Sequence, residues 1–488
     1  MSRNLLALDQ GTSSTRAVLF NSTCDILDID QKELTQFFPK NGWVEHDPEE
    51  IWKSAFGVMK SVISKNESVA AIGITNQRET TIVWNSKTGK PIYPAIVWQD
   101  RRTADYCDFL RNQGLEETIT RKTGLLLDPY FSATKLRWIL DHVSGARDKA
   151  RQGSLLFGTV DSFLLWKLTD GRSHKTDAAN ASRTMLFNIY EQVWDMELLE
   201  MFDIPRQMLP EVADCSSYFG STVIFGGEIP ITGMAGDQQS ALIGQCCFSP
   251  GMLKSTYGTG CFAMLNTGDR AIISKNKLLT TIAYRLAGEV TYALEGSIFI
   301  AGAAVQWLRD GLGLIENVES TDAIAESNPD TNGVYLVPAF TGLGAPYWDA
   351  NARGGLLGLS RNTTSKDLVT ATLQSVCFQT RDLFRAMEVD GANLSLVRVD
   401  GGMVTNDWFV QALADLTQIS IDRTNITETT SLGAAFLAGL EVGLFKSLED
   451  LESYRGKTTT VVAEIDNIRS DQLYAGWQDA VARIRTSY

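Results

Sequence analysis

Leu5-Leu6-Ala7-Leu8-Asp9-Gln10-Gly11-Thr12-Ser13-Ser14-Thr15-Arg16-Ala17-Val18-Leu19-Phe20 is the stretch on which the fold turns. Two apolar runs, Leu5 to Leu8 and Ala17 to Phe20, flank a glycine followed by four hydroxyl residues. Short apolar runs bounded by turn residues read as strands, so the segment reads as strand, tight polar turn, strand. The N–H groups and hydroxyls of such a turn can face phosphate oxygens, and Arg16 adds charge. Asp9, at the strand end, can hold a hydrated magnesium ion, which usually takes one or two carboxylates and keeps several waters. An ordinary hairpin turn has the same composition, so the stretch decides nothing about function by itself.

The pattern continues outward. Strands are expected at Ile26 to Lys32, Val69 to Thr75 and Thr80 to Trp84, with a helix between them. That helix has Asp47 as cap, Pro48 in its first turn, Glu49 and Glu50 at the positive end of the dipole, and Ile51, Trp52, Phe56, Met59 and Ile63 on helical spacing. Residues from about Tyr106 to Leu209 read as mostly helical, and β-rich sequence returns at Ile229 to Gly233. A second β-rich start spans Leu253 to Leu265, followed by Thr280 to Tyr284, Val290 to Leu294, helices at Ala301 to Leu312 and Ser365 to Met387, and a strand at Leu396 to Asp400. Strand, helix and strand order therefore recurs in two halves. The Ser-Pro-Gly turn within Phe248 to Gly251 divides them, giving expected domains at 1–249 and 250–488 with a cleft between.

Composition narrows the function classes. The chain has 488 residues and a net charge of -14, from Asp+Glu 58 against Lys+Arg 44, so polyanionic partners such as nucleic acid meet repulsion. Seven cysteines without a CxxC pair argue against a disulfide framework or zinc ribbon and for a reducing, cytoplasmic setting. Leu5 to Leu8 is too short for a signal-peptide core, and the uncharged stretch Thr331 to Trp348 is broken by Gly333, Pro338, Gly342, Gly344 and Pro346, so neither secretion nor membrane insertion is expected. His46, His142 and His174 stand alone and suggest no histidine chemistry.

Four further segments carry candidate chemistry. Tyr257-Gly258-Thr259-Gly260 repeats the turn after the first strand of the second half. Read on to Ala263 it matches GxGxxA, but a strand follows instead of a helix and the position about 20 residues on is Ala283, so a dinucleotide fold is disfavoured. Asp400-Gly401-Gly402 through Asn406 joins a strand to a helix and would let a base or ribose approach the backbone. Arg78-Glu79, with Trp98 nearby in the chain, offers donors, acceptors and a C–H-covering ring to a polyol, or forms a structural ion pair. Asp237, after Gly233-Met234-Ala235-Gly236, is placed to accept a hydroxyl proton during phosphoryl transfer or to cap a helix. No GxxxxGK[ST] and no HRD with DFG is present.

Taken together these motifs resemble the FGGY carbohydrate kinase family of the actin-like ATPase superfamily. The resemblance runs from Ala7 to Thr12 through Gly42 to Pro48, Gly73 to Thr81, Asp128 to Ser132, Gly236 to Gln239, Thr256 to Phe262, Pro338 to Asp349 and Asp400 to Gly402. It implies an α/β chain of two RNase H-like domains closing on a central cleft, and a cytoplasmic, homo-oligomeric enzyme, dimer or tetramer. Arg78-Glu79, Tyr130 and Asp237-Gln238 resemble the glycerol-phosphorylating members rather than those acting on xylulose or gluconate. The implied reaction is ATP- and Mg2+-dependent phosphorylation of glycerol to sn-glycerol 3-phosphate, with another sugar or polyol as the alternative substrate. A nucleotide-switch ATPase is the rival from another class.

Carried over by position, Arg78, Glu79, Tyr130, Asp237 and Gln238 would hydrogen-bond glycerol, with Trp98 and Phe262 against its carbons and Asp237 as base. Thr12, Ser13, Ser14 and Arg16 would meet the transferred phosphate, Thr259 the nucleotide phosphates, Gly302, Gln306, Gly402 and Asn406 the nucleotide, and Asp9 the magnesium. From periodicity alone Gly302 and Gln306 read as core helix. Between Tyr218 and Gly233 there is no Lys or Arg, so the fructose 1,6-bisphosphate control seen in some members is not expected. Gln374 replaces a common glutamate and reads as a helix-surface change.

Overall fold

The computed structural model describes residues 4–66, 69–349 and 351–486. Strands β1 (Asn4–Gln10), β2 (Ser14–Phe20), β3 (Ile26–Glu33), β4 (Val69–Asn76), β5 (Ser216–Thr222) and β6 (Ile229–Gly236) form one sheet in the order β5-β6-β4-β1-β2-β3. β1 and β2 make an antiparallel hairpin in which Asp9 faces Arg16, while β1 runs parallel to β4 and β4 parallel to β6. A second sheet contains β7 (Met252–Tyr257), β8 (Cys261–Gly268), β9 (Leu279–Leu286), β10 (Glu289–Ile298), β11 (Leu396–Asp400), β12 (Ile421–Thr424) and β13 (Thr458–Val461), ordered β9-β10-β8-β7-β11-β12-β13. Its opening hairpin β7–β8 is again antiparallel, and β7 again lies parallel to a later strand, β11. The recurrence read from the sequence is thus a repeated sheet plan: a hairpin whose first strand is also the neighbour of a distant parallel strand.

Both faces of the first sheet are covered. The helix Pro48–Lys65 buries Ile51, Ala55, Val58, Met59 and Val62 against one face, and Asp47 caps it by accepting from Glu49 N at 2.9 Å. The helix Thr429–Glu441, from the far end of the chain, covers the other face with Leu432, Ala434, Ala435 and Leu437. It also crosses the helix Asp237–Gly244 so closely that a Cβ on Gly433 would fall 1.8 Å from Ser240 O. One helix of the second half is therefore part of the floor beneath Asp237.

The region from 104 to 201 is helical as expected, with short strands interleaved; Leu155–Gly158 pairs with Ile82–Asn85 and ties this region to the first half. The expected helix over Ala301 to Leu312 is α-helical only from Gly302 to Gln306 and then widens into a π turn, Leu312 N donating to Trp307 O. Gln374 corrects the surface reading: it is 7% exposed within the helix Ser365–Val389, whose uninterrupted apolar stripe hid the burial of its polar positions. Among the described helices none is long and apolar enough to cross a membrane.

Candidate active site

The C-terminal ends of β1, β4 and β6 lie side by side and deliver Asp9, the Asn76 to Glu79 segment and Asp237 to one edge of the first sheet. Opposite them stand β7, β8 and β10. Two adjoining cavities open along this edge. One, of about 210 Å³, is lined by Asp9, Gly11, Ser14, Arg16, Asp237, Gln238 and Thr430. The other, of about 170 Å³, is lined by Thr12, Arg78, Glu79, Trp98, Tyr130, Asp237, Gln238 and Phe262. Asp237 and Gln238 border both.

The smaller cavity rests on a buried charge network. Arg78 faces Glu295 of β10 with two hydrogen bonds, Nη1 to Oε2 at 2.5 Å and Nη2 to Oε1 at 2.9 Å. Its Nη2 also reaches Tyr130 OH at 3.2 Å, and its Nε lies 3.3 Å from Asp237 Oδ1. Arg183 joins the other carboxylates, donating from Nε to Glu79 Oε1 at 2.7 Å and from Nη2 to Glu295 Oε1 at 3.0 Å. Two cations and two anions alternate, so the network is neutral and satisfies much of its own desolvation cost. Burial raises the pKa of Glu295, but Arg183 and Arg78 outweigh it and hold the carboxyl down at about 2. Burial also works against the Arg78 charge, yet Glu295, Tyr130 and Glu79 keep it above the ordinary arginine range. Glu79 has φ +54°, a left-handed conformation that costs a non-glycine residue about 1–3 kcal/mol and clusters at functional sites.

Aromatic rings complete this cavity. Trp98 packs edge-on to Tyr130 at 5.6 Å and to Phe262 at 6.3 Å, and its Nε1 donates to Thr12 Oγ1 at 2.9 Å. Thr12, grouped by resemblance with the phosphate residues, lines this smaller cavity, next to Gly11 and Ser14 on the larger one. Lys135, fully buried, donates to Tyr130 O at 2.5 Å and to Pro129 O at 3.3 Å and so fixes the turn that carries the tyrosine.

The larger cavity gathers acidic oxygens. Burial pushes the Asp9 pKa up to about 7; Arg16 opposes the shift, while Asp237 and Glu428 add to it. Arg16 is itself held by Glu428 from the second half, at 2.6 Å. A carboxylate raised mainly by burial, with Asp237 and Glu428 adding to the shift, on a polar cavity suits a divalent cation, and magnesium needs only one or two protein carboxylates there. Asp237 is not the helix cap; Gly236 takes that position, and Asp237 Oδ1 accepts from Gln238 N at 2.7 Å. Its pKa is raised by burial, with Arg78 and Lys254 pulling it back. Ser13 is exposed at the turn and lies outside both linings.

The remaining predicted residues meet elsewhere in the cleft. Thr259 is exposed in the β7–β8 turn, and its carbonyl accepts from Ala301 N at 2.9 Å and Ala303 N at 3.1 Å. Gly302 donates to Gly258 O at 2.9 Å, which seats the short helix directly on that turn. Gln306 is exposed and Gly302 half-buried, so neither is core. Gly401 has φ +97°, and a Cβ there would sit 2.4 Å from Tyr257 O, so the β11 loop lies against the same turn. Gly402 is exposed and faces open space. Asn406 caps the helix Asp407–Thr417 through Phe409 N at 2.7 Å and donates to Thr321 Oγ1 at 3.1 Å.

Arg183, Glu295, Lys254 and Glu428 were not singled out from sequence. Each is a lone charge in a strand or loop, and the partners of Arg183, Glu295 and Glu428 lie more than 100 residues away.

Comparison with known proteins agrees with this architecture. The N-terminal domain of the FGGY family of carbohydrate kinases matches residues 4–244, and its C-terminal domain matches residues 253–442. The chain is 58% identical to a glycerol kinase of Ectopseudomonas mendocina (strain ymp) over 100% of both chains. It superposes on the crystal structure of Plasmodium falciparum glycerol kinase with ADP at a TM-score of 0.95, with 36% identity and 99% of each chain covered. A gluconate kinase from Lactobacillus acidophilus shares the fold at a TM-score of 0.90 and 21% identity, again over 99% of both chains. With both domains matched and full-length relatives at this identity, the chain belongs to the FGGY family of carbohydrate kinases.

Proposed function

We propose that this kinase transfers the γ-phosphoryl group of ATP to a terminal hydroxyl of glycerol, giving sn-glycerol 3-phosphate and ADP. The observation that carries the reading is the pair of adjoining cavities with Asp237 on both: one side offers hydroxyl partners and aromatic rings, the other a phosphate-facing turn. Glycerol hydroxyls bind Arg78, Glu79, Tyr130 and Gln238, and Trp98 and Phe262 cover the C–H face. Asp237 accepts the proton of the reacting hydroxyl as the bond to phosphorus forms.

The γ-phosphate lies along the Thr12 to Ser14 turn, where Ser14 and Arg16 line the larger cavity, Thr12 the smaller one beside it and Ser13 the exposed outer edge. Asp9 would hold magnesium, which when bound would supply positive charge at the transferring phosphate. Thr259 meets the nucleotide phosphates, while Gly302, Gln306, Gly402 and Asn406 border the base and ribose. Residues 1–249 thus bring the polyol and 250–488 the nucleotide, and closure excludes water that would otherwise hydrolyse ATP. The enzyme works in the cytoplasm, as a homo-oligomer.

The test is ATP consumption by purified protein with magnesium, with and without glycerol, coupled to detection of sn-glycerol 3-phosphate. Glycerol-dependent product is expected. Equal ATP turnover without glycerol, or product only from xylulose or gluconate in a parallel panel, would overturn the assignment.

A further inference from the structure

Lys254 lies in β7 with 0% of its surface exposed, and its Nζ donates to Gln238 Oε1 at 2.6 Å. Among the described residues it forms no ion pair; its partner is a neutral amide from the other half of the molecule. Burial disfavours its ammonium charge, which Asp400 and Asp237 offset only through space, so a direct contact to a neutral amide calls for a reason of its own. The group that Lys254 holds directly is Gln238, which borders both cavities.

An ammonium group only donates, so the amide atom it holds must be the carbonyl oxygen. Gln238 is left with its two N–H donors to offer a ligand. Its neighbours on the polyol cavity offer the opposite: Glu79 and Asp237, when ionised, only accept. A polyol hydroxyl needs both, an acceptor for its hydrogen and a donor for its oxygen. Most Arg78 donors are already committed to Glu295, Gln239 and Tyr130.

We propose that Lys254 is a positioning residue that reaches across the cleft to fix Gln238 as a donor beside Asp237, so that glycerol hydroxyls giving hydrogens to the carboxylates find a donor for their oxygens. The proposal rests on the glycerol reading above. It makes part of polyol recognition depend on a residue of the sheet that carries the nucleotide turn, although Lys254 lines neither cavity.

Lys254→Met removes the donor and keeps the volume. The parent protein is assayed first; no glycerol-dependent product there would remove the substrate reading itself and leave Lys254 out of the question. With an active parent, Lys254→Met is expected to raise the glycerol KM by about tenfold or more, the scale of a lost charged hydrogen bond, with the ATP KM within about threefold and no fall in Tm. Lys254→Gln, which restores a donor, should recover part of the glycerol KM. Because the effect runs through Gln238, Lys254→Met combined with Gln238→Leu should bind glycerol no worse than Gln238→Leu alone. A folded Lys254→Met with parental glycerol KM, full multiplication of the two effects, or failure of both Lys254 variants to fold would each overturn the proposal, the last by making the residue structural.

Discussion

On the polyol side of the cleft, Arg78, Glu79, Arg183 and Glu295 are exposed by 3%, 1%, 0% and 1% and are locked to one another by charge. Across from them, Gly258, Thr259, Gln306, Gly401 and Gly402 are all exposed, and what brings them together is backbone: amide-to-carbonyl bonds between the β7–β8 turn and the helix after β10, and a glycine that lets the β11 loop lie against that turn. On the proposed reading the difference follows from the ligands. A small uncharged polyol offers little binding surface, so its partners must be ordered before it arrives, and ordering is cheapest when the groups hold each other. A nucleotide brings its own charge and area, so a cradle of the right backbone shape suffices. Substitutions on the first side should therefore cost stability and turnover together, whereas those on the second should act on ATP affinity with smaller effects on folding.

The sharpest division is expected at Asp237, which touches both cavities yet has only a peripheral place in the charge network. Asp237→Asn keeps the shape and removes the proton acceptor, so kcat should fall by about 10²- to 10⁴-fold. Circular dichroism and Tm should stay close to the parent. Unchanged turnover in a folded variant would take Asp237 out of the base role. Glu295→Gln comes next. It leaves two buried guanidinium groups, Arg78 and Arg183, facing one carboxylate fewer, and breaking such a buried arrangement costs about 3–5 kcal/mol. Urea unfolding should show that loss, and the glycerol KM should rise more than the ATP KM. Stability equal to the parent would mean that the two sides of the cleft are not built differently after all.

What could be read from the chain beforehand follows the same line. Apolar runs broken by glycine and hydroxyl residues announced the two hairpins, and Asp47, Pro48 and the spaced apolar residues announced the first helix, because these signals are local. The contiguous pairs Arg78-Glu79 and Asp237-Gln238 stood out because polar residues followed strands. Glu295 did not, since a single carboxylate in Val290 to Leu294 and beyond reads as a strand's outer face, and its partner Arg78 is 217 residues away. Arg183 was hidden for the same reason, its carboxylate partners being 104 and 112 residues away, and Lys254 because a lone lysine in a strand does not announce an amide partner beyond the turn that divides the halves. The left-handed turn at Glu79 was invisible as well: Thr80 to Trp84 reads as strand, but the strand starts at Ile82, and the residues before it follow the demands of Glu295 and Arg183. Gln374 shows the converse error, a polar residue buried because a carbonyl, Pro329 O, lies within 3.4 Å of its amide.

Two glycines on the nucleotide side divide the smaller effects between strain and contact. Gly401→Ala places a Cβ against Tyr257 O in a left-handed backbone, so it should cost about 1–3 kcal/mol and displace the loop, raising the ATP KM while sparing that for glycerol. Gly402→Ala is the more informative because it is the milder. Its Cβ would meet nothing within 4 Å and its φ is not left-handed, so stability should stay within about 0.5 kcal/mol of the parent. Any rise in the ATP KM then reports only what the added methyl group meets when nucleotide is bound. A rise of a few fold, with glycerol KM and Tm unchanged, would place the base or ribose against this loop. No rise at all would move the nucleotide away from Gly402 and leave the Gly258–Gly302 seat as its main support, and the comparison between the two sides would then rest on that turn alone.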